Sequence, residues 1–347
     1  MSRRGKKWYH RQKPFVLGAG ALLTIVLVIG IAYVAGRQIE TAGHRGKTVR
    51  GDLNERFAQQ SSVFIQGKSY QYKEGLKNFL LMGTADMSTL TEAPGPREQD
   101  IVSHQAVFLL LLSVNDLEKT VTALHIDGST VVESASLDRN HYAPNIGYMP
   151  ISWVYGLGDS EEQGRELVVE ATRKLLQGVP IDAYVALSLN SLPQINDMLG
   201  GVAVAASEPE LVALLQADPG SGQLITLSGV QAAALMYAGP YTDASQRARG
   251  QQMYVNGLLE ALASQLSKDP AITRELFDTL AGQVVTNLNR GQLISEFAQM
   301  AQYRKVTIEG LEGESYFEPN GVDAFIVDED ALIRRLTGEG GFFLEEP

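Results

Sequence analysis

Between Phe15 and Gly36 the chain runs for 22 residues without a charge, FVLGAGALLTIVLVIGIAYVAG. As an α-helix rising 1.5 Å per residue, such a run covers roughly 30 Å, the hydrocarbon thickness of a bilayer. A buried core helix is the bland alternative. Against it stand six cations directly before the run, Arg3, Arg4, Lys6, Lys7, Arg11 and Lys13, with no acid among them. A cleaved signal peptide is the stronger rival, but its apolar region is shorter, about 7–15 residues, and ends in a small-x-small site. Here Tyr33 would fill the outer small position if cleavage followed Ala35. The sequence therefore predicts an uncleaved transmembrane helix over 15–36. By the positive-inside rule residues 1–14 form a cytoplasmic basic tail, and everything after Arg37 lies outside the cell membrane.

Charge narrows the function of that outer part. Six of the 29 Lys and Arg precede residue 37, so residues 37–347 carry 23 basic against 40 acidic residues, a balance of −17. A body so acidic is a poor general binder of nucleic acid, whose affinity rests on phosphate neutralisation. The chain has no cysteine, which excludes disulfides, thiolate metal sites and Cys nucleophiles and suits an exported protein. GxGxxG, the P-loop, HExxH and GxSxG are all absent. Of the five histidines (10, 44, 104, 125 and 141) none is paired at metal-ligand spacing, and His125 reads as a satisfied core residue of an apolar strand.

Residues 37–67 are polar and mixed, a stalk, although Val63–Ile65 and Tyr70–Tyr72 around Gly67 have the look of a small hairpin. Asn78–Gly83, Ala106–Val114 and Thr120–Ile126 are apolar runs of strand length, as expected of strands covered on both faces. Ser160, followed by Glu161 and Glu162, caps a helix that Gly178 and Pro180 stop. A strand at 183–189, a short helix at 193–199 and a strand at 202–205 follow. Helices are expected at 228–237, 251–266, 272–286 and 290–303, then a strand at 305–308 and a helix at 328–336. This alternation predicts an α/β fold: one layered domain over 68–336, a central mixed β-sheet flanked by helices, with a tail at 337–347.

Several segments, taken in order, resemble the LytR–CpsA–Psr family of cell-envelope proteins, whose domain is also called the cell envelope-related transcriptional attenuator. They are NFLLMG (78–83), the paired strands 106–114 and 120–126, WVYGLGD (153–159) and LLQGVPIDAYVALSLNSLPQINDMLGGVAV (175–204). ITLSGVQAAALMY (225–237), RARGQQMYV (247–255), VVTNLNRGQLISEF (284–297) and VDEDAL (327–332) complete the set. The resemblance implies a protein of cell-wall biogenesis that acts on a polyprenyl (pyro)phosphate lipid and works with peptidoglycan or other envelope-polymer machinery. Family members transfer glycopolymers from a polyprenyl-pyrophosphate carrier to peptidoglycan. They hold the pyrophosphate with arginines, a divalent cation such as Mg²⁺ with carboxylates, and the lipid tail in an apolar pocket between sheet and helices.

Most of the charged positions that the resemblance implies are missing. The family aspartate before the second strand falls on Gln105 or Val107, depending on register. After the third strand the arginine and aspartate positions are Gly128 and Ser129. The arginines expected after LSGVQA fall near Tyr237, and the second arginine of RxxRQ is Gly250. Arg247 and Gln251 match. Arg249, Arg97 and Gln251 beside Arg247 are the remaining pyrophosphate-binding candidates, with Asp86 and Asp100 as metal candidates and Asp127 as a neighbouring carboxylate. Glycine or tyrosine cannot replace the fork of a guanidinium. Two expectations follow: a degenerate member that keeps a polyprenyl-binding fold without catalysis, or an active Mg²⁺-dependent transferase with a relocated site.

Overall fold

Apolar runs without polar alternation need cover on both faces of their sheet, and the chain provides it. The computed structural model describes residues 8–10, 15–17, 62–86, 104–134, 147–205, 224–237, 244–268, 282–289, 306–317, 323–338 and 341–346, with the single positions 279, 292, 296 and 303. Its strands begin with β1 (Trp8–His10), β2 (Phe15–Leu17), β3 (Ser62–Ile65), β4 (Lys68–Tyr72), β5 (Leu76–Asp86), β6 (His104–Asn115) and β7 (Thr120–Asp127). Then come β8 (Val131–Glu133), β9 (Tyr148–Pro150), a 3-10 helix Ile151–Leu157, α1 (Glu161–Leu175), β10 (Ala183–Ser188) and α2 (Leu192–Met198). They are followed by β11 (Val202–Ala205), β12 (Leu224–Leu227), α3 (Gly229–Tyr237), α4 (Ala244–Lys268) and β13 (Val284–Thr286). The last elements are β14 (Val306–Gly310), β15 (Gly313–Phe317), β16 (Asp323–Val327), α5 (Glu329–Thr337) and β17 (Phe343–Glu345).

The central sheet has the order β13-β10-β5-β6-β7-β14-β2 and is mixed. β10 runs parallel to β5 and β14 parallel to β7, while the other neighbours are antiparallel. Alternate residues of the apolar strands serve two cores. Leu80, Met82, Leu109, Leu111, Leu124 and Ile126 pack with α1, α5 and the 3-10 helix. Phe79, Leu81, Leu110, Leu112 and Ala123 face the opposite way, under α2 and α4. A further apolar cluster, including Val107, Val202, Leu227, Leu235 and Tyr254, fills the space where α2, α3, α4 and the β11–β12 hairpin roof one end of the sheet.

Local signals account for the element ends. The Ser160 side chain accepts a hydrogen bond from the Gln163 amide at 3.2 Å and starts α1. Gln177 at φ 56° and Gly178 at φ 90° turn the chain out of the helix. The β3–β4 hairpin turns through Gln66 and Gly67, both at positive φ.

Several expectations need correction. The helix expected over 272–286 does not include its last residues: Gly282 stands at φ 77°, and the β-branched Val284-Val285-Thr286 pairs with β10 instead. Most of 272–281 and of 290–303 lies outside the described residues. β3 and β17 both pair with β4, so residues 62–65 of the expected stalk and 343–345 of the expected tail belong to the folded domain. Of the apolar run at 15–36 only Phe15–Leu17 is described, as β2 against β14, and Trp8–His10 pairs with β15. Residues 18–36 lie outside the described residues. Among the described residues no helix is long and apolar enough to cross a membrane.

Candidate functional site

β5 and the parallel β10 end on one side of the sheet, where antiparallel β6 begins and β7 ends. That side collects Asp86, Gln105, Val107, Asp127, Gly128 and Ser129 from the ends of β5, β6 and β7. Side chains of β7 alternate, so Leu124 and Ile126 face α1 while His125 and Asp127 face α4.

Asp127 and Arg247 form a buried ion pair between β7 and α4, with side chains 5% and 9% exposed. The guanidinium meets the carboxylate with two nitrogens: Nε donates to Oδ2 at 3.2 Å and Nη2 to Oδ1 at 2.5 Å. Oδ1 also accepts from the Ser129 amide at 2.8 Å and from Ser129 Oγ at 2.6 Å. The Thr130 amide closes the turn on the Asp127 carbonyl at 2.9 Å. Asp127-Gly128-Ser129 is thus a self-capped turn in which the carboxylate serves both loop and helix. Burial alone would raise the Asp127 carboxyl, but the charge and hydrogen bonds of Arg247, with those of Ser129, hold it below the ordinary carboxylate value.

One helical turn along α4, Gln251 forms the second tier of this contact. Its Nε2 donates to the carbonyls of Val107 at 3.2 Å and Met236 at 2.9 Å, tying α4 to β6 and α3. Its Oε1 therefore accepts from His125 Nε2 at 3.2 Å, which places the proton of a neutral imidazole on Nε2. His125 Nδ1 is buried without a hydrogen-bond partner. Burial pushes the His125 pKa down, and neighbouring Arg247 adds to this, against Asp127 and Gln251.

The register ambiguity on β6 resolves as a bulge. Thr84 pairs with Ala106 and Gly83 with Phe108, so Val107 is the extra residue. Gln105, opposite Ala85, falls on the α4 face at the start of β6, whereas Val107 is buried and presents its carbonyl to Gln251. A Cβ on Gly128 would come within 3.2 Å of both Ser152 Cβ and the Val107 carbonyl, so that position is closely packed. Tyr237, at the end of α3, donates its hydroxyl to Asn190 Oδ1 at 3.3 Å, and burial pushes its phenol up to about 12. Gly250 is buried on α4.

The described remaining candidates, Asp86 and Arg249, do not gather round Arg247. Strand alternation puts Asp86 on the α1 face, opposite to Asp127, at an exposed strand end. Arg249 lies two residues along α4 from Arg247, roughly 200° round the helix. Arg97 and Asp100 lie outside the described residues. A divalent cation finds no fit at the β7 end: both Asp127 oxygens already accept hydrogen bonds, and among the described residues no three His, Asp or Glu side chains converge. Arg247 and Gln251 could be singled out from the RxxRQ pattern. Asp127 stood out only as a carboxylate neighbouring the missing family positions Gly128 and Ser129, and nothing in the sequence paired it with Arg247.

The LSGVQA helix start has a structural basis. Asp197 of α2 accepts the Gly229 amide at 2.7 Å, and Asn196 donates to the Leu227 carbonyl at 2.8 Å. A Cβ on Gly229 would lie 2.4 Å from the Pro193 carbonyl, so glycine permits α3 to start against α2.

The fold recurs in solved structures. One described as TagT bound to LI-WTA aligns at 18% identity with a TM-score of 0.52, over 80% of this chain and 94% of that one. Bacillus subtilis TagV aligns at 18% identity with a TM-score of 0.50, over 76% and 94%. A comparison with curated proteins finds no match. Residues 37–337 match the LytR_cpsA_psr family, a span that takes in every strand of the central sheet except β2, the helical roof and both partners of the buried ion pair. The chain belongs to that family of cell-envelope proteins.

Proposed function

We propose that the chain is a membrane-anchored, extracytoplasmic LytR–CpsA–Psr protein that serves cell-envelope biogenesis by binding a polyprenyl lipid and does not catalyse transfer. The observation that carries this reading is the fate of Arg247. It keeps the family's position, yet its fork is engaged by Asp127 in a buried pair. The charge that would meet a pyrophosphate is neutralised from within, and Gly128, Ser129, Tyr237 and Gly250 supply no replacement. Lipid binding does not depend on those charges, since burial of apolar surface contributes about 25 cal/mol per Å² by itself.

The anchor remains the reading of the N-terminal segment. Gly18–Gly36 alone supplies 19 uncharged residues, about 28 Å of helix. β1 and β2 are three-residue edge strands, which a membrane-inserted chain would give up at small cost.

The test is equilibrium binding of a fluorescent polyprenyl probe to the purified full chain in detergent, with and without Mg²⁺. Saturable binding that chelation leaves unchanged supports the reading. Binding that requires Mg²⁺ and is lost in Asp86→Ala favours an active transferase with a relocated site.

A further inference from the structure

From the roof over the sheet end that holds Asp127 we infer a membrane-contact face: the outer surfaces of the β11–β12 hairpin and of α3 rest on the bilayer in which the chain is anchored. The inference rests on the anchor proposed above and adds which side of the domain meets the lipid.

The observation is an exposed surface without charge. Residues 202–205 and 224–237 contain no Asp, Glu, Lys, Arg or His. In the hairpin Val202, Val204 and Leu227 are buried, and strand alternation turns Ala203, Thr226 and Leu224 outward, Leu224 at 71% exposure. β12 leads through Ser228 into α3 and packs against it. There Ala232, Leu235 and Met236 are buried, while Val230, 78% exposed, and Ala234 one turn further share the outer face. A helix that is apolar all round is ordinarily covered all round. Asp197 of α2 is exposed at the rim, where it accepts the Gly229 amide. By contrast α1 exposes Glu161 and Glu162, and α5 exposes Glu329 and Asp330.

Charge and tethering identify the occupant. An exterior part with a balance of −17 is repelled by anionic lipid heads, so it can settle on them only through a face that brings no acid. The anchor keeps the domain beside the bilayer, and that high effective concentration lets a small apolar face suffice. Leu224 and Val230 gain at the lipid interface the burial that they lack in water. The face is also placed for use. Gln251 donates both to the Met236 carbonyl of α3 and to the Val107 carbonyl of β6, so α3 is tied to the sheet end that carries Asp127, Gly128 and Ser129. With α3 on the bilayer, that end of the sheet is the one turned to the lipid heads.

The chain has no cysteine, so single introduced cysteines report their positions without background. Leu224→Cys, Val230→Cys and, as a control, Leu117→Cys would each be labelled with a polarity-sensitive dye in the full chain and reconstituted into phosphatidylcholine vesicles. Leu117 is 77% exposed, in the β6–β7 turn at the opposite end of the sheet. Dyes at 224 and 230 should be quenched severalfold more by nitroxide-headgroup lipid than the dye at 117, and should be shielded from aqueous iodide. Ala234→Glu added to Val230→Cys should cut that quenching, since a charge opposes burial. Equal quenching at all three positions, or quenching that Ala234→Glu leaves unchanged, overturns the inference. So does iodide shielding at 224 and 230 without lipid quenching, which would make the face an interface between copies of the chain. Retention on the vesicles after an alkaline wash reports the anchor separately. If the chain washes off, the anchor reading fails, and the same dyes, read with vesicles added to the chain in solution, decide the face by the same comparison.

Discussion

Asp127 and Arg247 are separated by 120 positions and meet in the interior, so neither can lose its partner cheaply. Asp127→Asn should destabilise the protein by about 3–5 kcal/mol, because a buried guanidinium is left without its counter-ion. Asp127→Leu/Arg247→Met should cost clearly less, and urea unfolding of the two variants checks the difference. The neighbouring tier gives a separate acid response. Burial holds the folded His125 below the ordinary imidazole value of 6.5, so as pH falls through about 6.5 the unfolded chain takes up a proton that the folded chain refuses. The stability that a neutral His125 contributes is complete above 6.5 and is lost progressively below it. Asp127, depressed from 3.8, should contribute loss only below about that pH. Urea midpoints should thus fall between pH 7 and pH 5 in wild type and fall less in His125→Gln. An equal slope in the variant would assign the acid response elsewhere. At this scale Arg247 and Gln251 were legible as a pattern. Asp127 was legible only as a carboxylate beside the missing positions Gly128 and Ser129, since no periodicity relates a strand end to a helix 120 residues later.

Elements were legible where both faces of a strand are apolar. β5, β6 and β7 outgrow their apolar cores to Leu76–Asp86, His104–Asn115 and Thr120–Asp127, because ladder hydrogen bonds continue through polar residues at the strand ends. Some short strands were not legible, β8 and β9 among them: each has three residues, too few for alternation to register. The last residues of the helix expected over 272–286 show the same limit, since the β-branched run after Gly282 forms a strand for which β10 supplies the partner. Gly229 is the element-scale position where the sequence marks a contact without explaining it. Gly229→Ala would gain up to ~1 kcal/mol of helix propensity. It would also force a methyl to within 2.4 Å of the Pro193 carbonyl. Because backbone has to move, we expect net destabilisation of about 1–3 kcal/mol, as for overpacking, measurable by thermal unfolding. A stabilised variant would show that α3 and α2 can separate freely.

For the whole molecule, the side of the mixed sheet that holds Gln105, Gly128 and Ser129 carries, at its described strand ends, the neutral Asp127–Arg247 pair and the exposed Asp86. The body it belongs to has a balance of −17, which adds no long-range attraction for anionic ligands. If the run at 15–36 anchors the chain as proposed, protease added to intact, wall-stripped cells should digest the domain and spare the basic tail. Protection of the domain would refute that topology. The measurement that bears most directly on the central claim is turnover. The purified full chain would be supplied with Mg²⁺, a polyprenyl-pyrophosphate-linked glycopolymer and a peptidoglycan acceptor, and linked product counted against Arg247→Ala. The account predicts no product above background from either protein; Mg²⁺-dependent product from wild type that vanishes in Arg247→Ala would contradict it.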